Sequence, residues 1–474
     1  MSARFSHVSP RLQAAFVAVA AAAVSAAVNI PRAVETSFWQ DEVGSARVIT
    51  VSSPFSMLRA LVGTENHPPA FYSLGWIVDR LGAPVVWDRA ISVLAAMAVS
   101  ALVVLYARRL MPLWGAALAG LGTALGWQFW RHGWELRPYS LFALTCVLFV
   151  LALERAAERP AHGRLAILAA AVAAGAMTHY FFLFSLFGGV LWVYLERARQ
   201  DLRRLFLAMG LGLVPLVVWL PAFYKQFKGG GFQTNPDFSL RSALETYGAL
   251  LVRGELNLLV ALAVLALVLL GAVRLWRLSD SGRLCALGAV VPVAVASLVW
   301  LAGPDIYTVK NLMGAAPFAA VAIAAALTAL PRPLAMAATA GAAVLLVVSY
   351  VDTRGRIIPD YDLVAAVLVQ EGWNEQDPIL VFGPPYQLAH PLDWYLPGSR
   401  LEVAAGWRKG GGCDRVFVIS VGGRGRGLIA GVPTRHVRRI TIARIPYRQD
   451  LAREAGLRGG RLLATRAARC ARVA

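Results

Sequence analysis

Apolar runs of about twenty residues recur along roughly the first three quarters of the chain, and no other feature restricts its fold as strongly. Two of them are "AISVLAAMAVSALVVLYA" at 90–107 and "LLVALAVLALVLLGAV" at 258–273. At 1.5 Å per residue, about twenty residues cross the ~30 Å hydrocarbon core of a bilayer. Backbone polar groups find no water there, so a continuous apolar run must close its own hydrogen bonds as a helix. Of the 474 residues, 58% are hydrophobic, above the roughly 45–50% of a soluble domain. The reading is a polytopic α-helical membrane protein. The run at 14–30 follows "MSARFSHVSPRLQ" and is shaped like a signal peptide. However, "AAVNIPRAVETS" is a poor cleavage site and further runs follow, so it reads as a retained first helix.

The formal charge of +19 is nearly all arginine. On a soluble chain it would point to nucleic acid. Here the arginines sit in short loops between apolar runs, where they set orientation, and no nucleic-acid partner is inferred. With Arg4 and Arg11 cytoplasmic, the basic loops "RRL", "ERAAERPAHGR", "ERARQDLRR" and "RLWRLSDSGR" all fall on one side. That agreement supports about eleven transmembrane helices. It puts a first outer loop at 31–89 and the tail after residue 352 outside. Within the outer loop, "HPPAFYSLGWIVDRL" has too short an apolar stretch to span, and reads as an interfacial helix with Trp76 at headgroup depth.

Two domains follow: 1–351 in the membrane, and 352–474 as a small extracytoplasmic α/β domain. In the latter, "DPILVFG", "DRVFVIS" and "RRITIARI" read as strands and "YDLVAAVLVQEG" as a helix. "GGRGRG" (422–427) lacks the spacing of a phosphate-cradling loop and reads as a flexible one. Cys146 and Cys285 lie in or beside apolar runs as small buried residues. Cys413 and Cys470 could pair in an oxidising compartment.

Polar residues gather at the outer boundary. Asp41 and Glu42 follow the first span in "FWQDEVGSARV". His67 opens the interfacial helix and Arg89 precedes the second span. "RHGWELRPYS" offers His132, Glu135, Arg137 and Tyr139. "THYFF" offers His179 and Tyr180, and "GPDIYTVKNLM" offers Tyr307, Lys310 and Asn311. Ionisable groups at membrane depth are expensive and default to functional candidates. Against that, any outside loop must be polar. Arg89, Arg137 and Lys310 could be snorkelling anchors, and His179 a satisfied helix-end histidine. Asp41 and Glu42 are hardest to dismiss, because an aromatic, lipid-proximal strip is a poor place for spare carboxylates.

Taken in order, "DE", "HPPAFY", "WDRAISVLAAMAVSALVVLYARRL", "ELRPYSLFAL" and "HYFFLF" resemble the integral-membrane GT-C glycosyltransferases. The resemblance is to the bacterial branch related to protein O-mannosyltransferases and the lipid A aminoarabinose transferase. It covers roughly residues 10–330. It implies an inverting transfer of a sugar from a polyprenyl-phosphate donor, on the outer face of a bacterial cell membrane, to a lipid, glycan or protein acceptor. Asp41 matches the family's catalytic carboxylate, with Glu42 raising its pKa by repulsion or holding the acceptor. Lys310 and Arg137, with Arg89 a further candidate, would receive the departing phosphate. His67, Glu135, Tyr139, His179 and Tyr180 complete the substrate-binding set. One departure is "VKNLMGAAP", where relatives often carry arginine, so that Lys310 would act as a point charge. Some members of the class use a divalent metal and others do not; the sequence does not decide. Two other readings stand beside this one, a lipid-linked-sugar transporter or flippase and a non-catalytic scaffold of a glycan-assembly complex. The first lacks the internal repeats and midplane charges of transporters, and the intact "DE", "HPP" and "ELRPY" speak against the second.

Overall fold

The computed structural model describes residues 9–82, 85–196, 199–229, 239–253, 257–303 and 306–353, and in the C-terminal part 361–374, 379–382, 391–396, 401–403, 415–421, 434–437 and 440–446. The N-terminal helices are α1 (Pro10–Glu35), α2 (Gln40–Ile49), α3 (Pro54–Thr64) and α4 (Ala70–Asp79). After a 3-10 turn at Val85–Asp88 come α5 (Arg89–Ala107), α6 (Leu113–Ala124), α7 (Trp127–His132), α8 (Tyr139–Glu158), α9 (His162–Thr178) and α10 (Phe182–Glu196). Then follow α11 (Arg199–Gly212), α12 (Val214–Lys228), α13 (Leu240–Leu251), α14 (Leu258–Leu278) and α15 (Asp280–Leu301). A 3-10 helix, Val309–Ala315, runs into α16 (Ala316–Leu327), and α17 (Arg332–Thr353) and α18 (Tyr361–Gln370) complete the helices. The chain divides into two compact units, Met1–Val34 with Ser45–Gly355, and Glu35–Gly44 with Arg356–Ala474. The sequence places Glu35–Gly44 with the membrane helices; the contacts of this segment group it with the C-terminal unit.

In the first unit, six helices are long and apolar enough to cross a bilayer. A seventh span results if Asp201–Gly212 and Val214–Lys228, bent by 41°, count as one. Shorter apolar helices accompany them, among them Leu113–Ala124, His162–Thr178 and Phe182–Glu196. Large apolar side chains face outward, such as Val218 at 76% and Leu259 at 75% exposure. Such surfaces are stable only with lipid as solvent, so the protein is a multi-pass membrane protein. Caps punctuate the helices: Ser53 Oγ accepts from Ser56 N–H at 3.2 Å, and Ser279 Oγ accepts from Gly282 N–H at 3.1 Å at the start of α15. These satisfy donors that a helix start leaves open. The proline-led helix at 67–81 is α4, ten residues long, with Phe71, Tyr72 and Gly75 buried. Trp76 donates its indole N–H to the Val51 carbonyl at 3.0 Å.

The second unit holds a five-stranded sheet, in the order β2-β1-β3-β5-β4. Its strands are β1 (Ile379–Phe382), β2 (Leu401–Val403), β3 (Arg415–Val421), β4 (Thr434–Val437) and β5 (Ile440–Pro446). β1 pairs parallel with β2 and β3, in register Ile379 to Leu401 and Ile379 to Phe417. β5 pairs antiparallel with β3 and β4. Phe417 and Ile419 are buried on alternate positions of β3, as a strand's period of two requires. α18 buries Tyr361, Val364, Ala365 and Leu368, one helical stripe. Ser37 bonds both the carboxylate and the backbone N–H of Asp362, and Phe38 N–H donates to the Tyr395 hydroxyl at 2.7 Å. "GGRGRG", Cys413 and Cys470 lie outside the described residues; Cys146 and Cys285 are free and buried.

Helices of the first unit approach closely where small residues meet, the usual device in lipid. A Cβ at Gly271 of α14 would run into the Ala322 carbonyl of α16, and Arg274 donates to the Ala325 carbonyl of the same helix at 2.7 Å. Gly271→Ala is expected to destabilise the protein by roughly 1–3 kcal/mol, as overpacking does. Gly210→Ala in α11, where nothing lies within 4 Å, should leave stability unchanged or raise it by up to ~1 kcal/mol. Thermal unfolding of the detergent-solubilised variants measures both; equal melting temperatures would refute the close approach.

Candidate functional site

The polar residues of the first unit converge at one end of α8. The turn before this helix sets them up. Arg137 N–H reaches the Glu135 carbonyl at 2.7 Å, and Phe142 N–H reaches Pro138 O at 2.8 Å to start α8. A proline cannot donate, so it opens a helix without leaving a donor unmet. The tight turn faces inward: Trp134, Glu135, Leu136 and Arg137 are all buried. A side chain at Gly133 would meet the Phe129 carbonyl and the amide of Asn29.

Arg137 is the centre of the first group. Its Nη1 donates to both Glu65 oxygens, at 2.8 and 2.9 Å, and to Ser45 Oγ at 2.9 Å. Its Nη2 lies 3.5 Å from His67 Nδ1, and the Tyr72 hydroxyl lies 3.4 Å from the same nitrogen. Ser92 Oγ donates to the Arg137 carbonyl at 3.0 Å. Burial pushes the Glu65 carboxyl up, but the Arg137 and His67 partners outweigh it and hold it below the ordinary range. Burial likewise holds His67 below its usual value; Arg137 and Lys310 act with it and Glu65 against it. His67 is therefore neutral near pH 7.

The second group surrounds Tyr139. Its ring meets those of His67, His132 and His179 at centroid distances of 5.9, 5.3 and 6.0 Å. Lys310 Nζ lies 5.4 Å from the Tyr139 ring centre, a cation–π placement. His132 Nδ1 is 2.6 Å from Glu135 Oε2, and Arg131 reaches the other oxygen at 3.4 Å. Burial lifts the Glu135 carboxyl, yet His132, Arg131 and Lys310 outweigh it and lower the value. Burial keeps His132 below its usual range, with Glu135 opposing. His179 stacks on Phe142 at 4.6 Å and accepts the Phe181 N–H on Nδ1 at 3.2 Å, so in the neutral ring the proton sits on Nε2.

With the histidines neutral, the cations Arg131, Arg137 and Lys310 outnumber the carboxylates Glu65 and Glu135 by one. A cationic surplus in a poorly solvated site favours an anion and a developing negative charge. Among the described residues no group of three or more His, Cys, Asp or Glu is arranged to hold a metal ion.

The other predicted residues sit elsewhere. Arg89 is fully buried; it donates to the Ala33 carbonyl at 2.8 Å and lies over Trp134 at 5.0 Å. Those contacts join α5 to the end of α1 and to the turn. Tyr180 donates to Gln226 Oε1 at 2.5 Å and accepts from Trp219 at 2.9 Å. Gln226 in turn donates to the His67 carbonyl at 3.1 Å, so Tyr180 bears on His67 through its backbone. Asp41 and Glu42 stand in the first turn of α2 and belong to the second unit. Glu42 is buried and its Oε2 accepts the Trp39 N–H at 3.4 Å. Glu65, Ser45, Tyr72 and Gln226 are not among the residues picked from the sequence. Glu65 carried a usable signal, a carboxylate two residues before the histidine in "ENHPP".

No protein-family model and no curated protein matches the chain. Solved structures do. ArnT from Cupriavidus metallidurans bound to undecaprenyl phosphate aligns with a TM-score of 0.54 at 14% identity, over 92% of this chain and 97% of that one. The Archaeoglobus fulgidus oligosaccharyltransferase in its apo form aligns with 0.53 at 12% identity, over 83% of this chain and 64% of that one. AglB from Archaeoglobus fulgidus, in complex with an inhibitory peptide and a dolichol-phosphate, aligns with 0.50 at 11% identity, over 87% and 70%. These neighbours are GT-C glycosyltransferases. At such identities the likeness is one of architecture, and the architecture this chain shares is the GT-C fold.

Proposed function

We propose that the protein is an inverting glycosyltransferase that moves a sugar from a polyprenyl-phosphate donor to a lipid, glycan or protein acceptor at the outer surface of a cell membrane. The observation that carries the reading is the cluster of Arg137, Lys310 and neutral histidines at Tyr139, built at one end of apolar helices. A polyprenyl phosphate has the matching form: an apolar tail in the bilayer and an anion at its surface. The relatives crystallised with undecaprenyl phosphate and dolichol-phosphate support that donor class.

In this mechanism a carboxylate takes the acceptor proton while the acceptor attacks the anomeric carbon. The bond from that carbon to the phosphate oxygen breaks, and negative charge grows on the leaving phosphate. Lys310 and Arg137 stabilise that charge. Tyr139 forms the platform beneath it, and His67 and His179 hydrogen-bond sugar or phosphate. Glu135 keeps His132 oriented, Glu65 fixes Arg137 through its Nη1, and Tyr180 and Arg89 hold the walls. The assignment of Asp41 as base and Glu42 as its partner rests on the sequence pattern. In the same reading, four shorter apolar helices cross with the longer ones, which brings the spans to about eleven. The second unit is then the extracytoplasmic domain.

Purified protein with a labelled polyprenyl-phosphate sugar tests the roles. Lys310→Ala is expected to lower kcat by about 10²–10³, the usual effect of losing one preorganised charge donor. Lys310→Arg should recover part of it. Asp41→Asn should lower the rate by about 10²–10⁴; full activity would remove Asp41 from the mechanism.

Acid sensitivity follows from the lowered groups, His67 and His132 among the histidines and Glu65 and Glu135 among the carboxyls. A histidine with a depressed folded pKa adds stability that is complete above its unfolded value, about 6.5, and is lost as pH falls through the folded value. Glu65 behaves alike below about 4.3. Stability should be flat from about pH 7 to 8 and decline below about 6.5. His67→Gln should remove the upper part of that decline. An unchanged profile would count against a buried neutral His67.

A further inference from the structure

At the other end of α8 lies a groove that the proposed transfer does not use. It measures about 320 Å³ and is formed by two matching stripes of α8 and α9. α8 contributes Thr145, Leu148, Leu151, Ala152 and Arg155; α9 contributes Arg164, Ile167, Ala170, Ala171 and Ala174. The spacing along the two helices is the same, one helical face of each. Because the helices run antiparallel, both arginines fall at one mouth and the rest of the lining is almost wholly apolar. The small alanines of α9 keep the groove open, while Leu148 and Ile167 stand exposed along it at 43% and 62%. A soluble partner is a poor match for a slot set into the bilayer-facing surface of two apolar helices.

The mouth is positioned for an anion. Arg164 donates from Nη1 to the Arg155 backbone carbonyl at 2.9 Å, which ties the start of α9 to the end of α8, and both arginines line the groove. Glu158 lies 3.8 Å from Arg164 and is 60% exposed, so it offsets only part of the charge. Arg159 and His162 stand exposed in the same connection. The first turn of α9 has no side-chain cap, and its N–H groups add positive potential at that end. Tyr139 and Arg155 are sixteen residues apart on α8, about 24 Å along the helix. The basic mouth therefore belongs to the opposite membrane surface from the cluster, the side on which the chain concentrates its arginine loops.

We infer that this groove binds an anionic phospholipid, one acyl chain between Leu148, Ile167 and the α9 alanines and the phosphate against Arg155 and Arg164. Its volume is at the lower end of ligand pockets, about 300–1,000 Å³, enough for part of one chain. Juxtamembrane arginines attract anionic headgroups in this way.

The test uses the full chain in nanodiscs of phosphatidylcholine containing a minor fraction of phosphatidylglycerol with the same acyl chains. Native mass spectrometry counts the lipids that stay bound. Retained lipid should be enriched in phosphatidylglycerol, and Arg155→Ala with Arg164→Ala should reduce that enrichment about ten-fold or more. Ala170→Trp, which fills the apolar slot and leaves both arginines, should reduce it as well. Arg203→Ala with Arg204→Ala, exposed on α11, should leave it unchanged. Equal retention by wild type and the double arginine variant would overturn the inference, as would loss in the arginine variant with none in Ala170→Trp. So would displacement of the retained lipid by undecaprenyl phosphate, which would make the groove a donor site.

Discussion

The ion pair of Arg137 with Glu65 is the interaction on which the first unit's polar end depends. Both residues are buried, at 5% and 6% exposure. Neither could keep its charge there alone, since an unpaired buried ion costs several kcal/mol. Together they join segments far apart in the chain: the α3–α4 connection, the Ser45 end of α2 and the turn that opens α8. The pair is no great source of net stability, because its attraction is offset by lost hydration. What it provides is placement. With Glu65 bound in both directions, His67 has one setting, and the prolines that follow it start α4 from there.

Around this pair the electrostatics are arranged to favour an anion. Burial keeps His67 and His132 uncharged, so they accept and donate hydrogen bonds without adding to the charge. The positive surplus then rests on arginine and lysine. A site built from charged histidines would lose its anion affinity just above neutrality; this one does not draw its charge from them.

How much of this the sequence discloses depends on which physical signal each residue carries. Apolar runs mark the membrane helices well, because lipid demands them. They mark breaks poorly. The run at 113–130 reads as one span, yet it divides into α6 and α7 near Gly126, where an added Cβ would strike the Gly122 carbonyl. The run at 205–223 bends at the boundary of α11 and α12, where Pro215 opens the second helix. Candidates beside a span end, such as Arg137, Tyr139, His179 and Lys310, carry that position as their sequence signal, and the fold brings them together. Glu65 is not, because α3 separates it from any span. Arg89, picked by the same kind of position, donates to the Ala33 carbonyl and lies over the Trp134 ring. Charge and location look alike in a sequence whatever a residue touches; the fold alone shows its partners.

Lys310 shows why the lysine is no loose equivalent of arginine. Its ammonium sits over the face of Tyr139, and that ring is walled by three histidines. A ring face attracts a compact cation from above and sets no direction for its donors. A guanidinium in the same place would stack flat on the ring and present its fork at the edge, a geometry suited to a bidentate anion in one orientation. In the transfer proposed above, the bridging oxygen of the phosphate would gain charge as its bond to the sugar lengthens. A point charge on a long stem suits a demand that shifts in this way, while Arg137, bound to Glu65 and Ser45, suits one that stays in place.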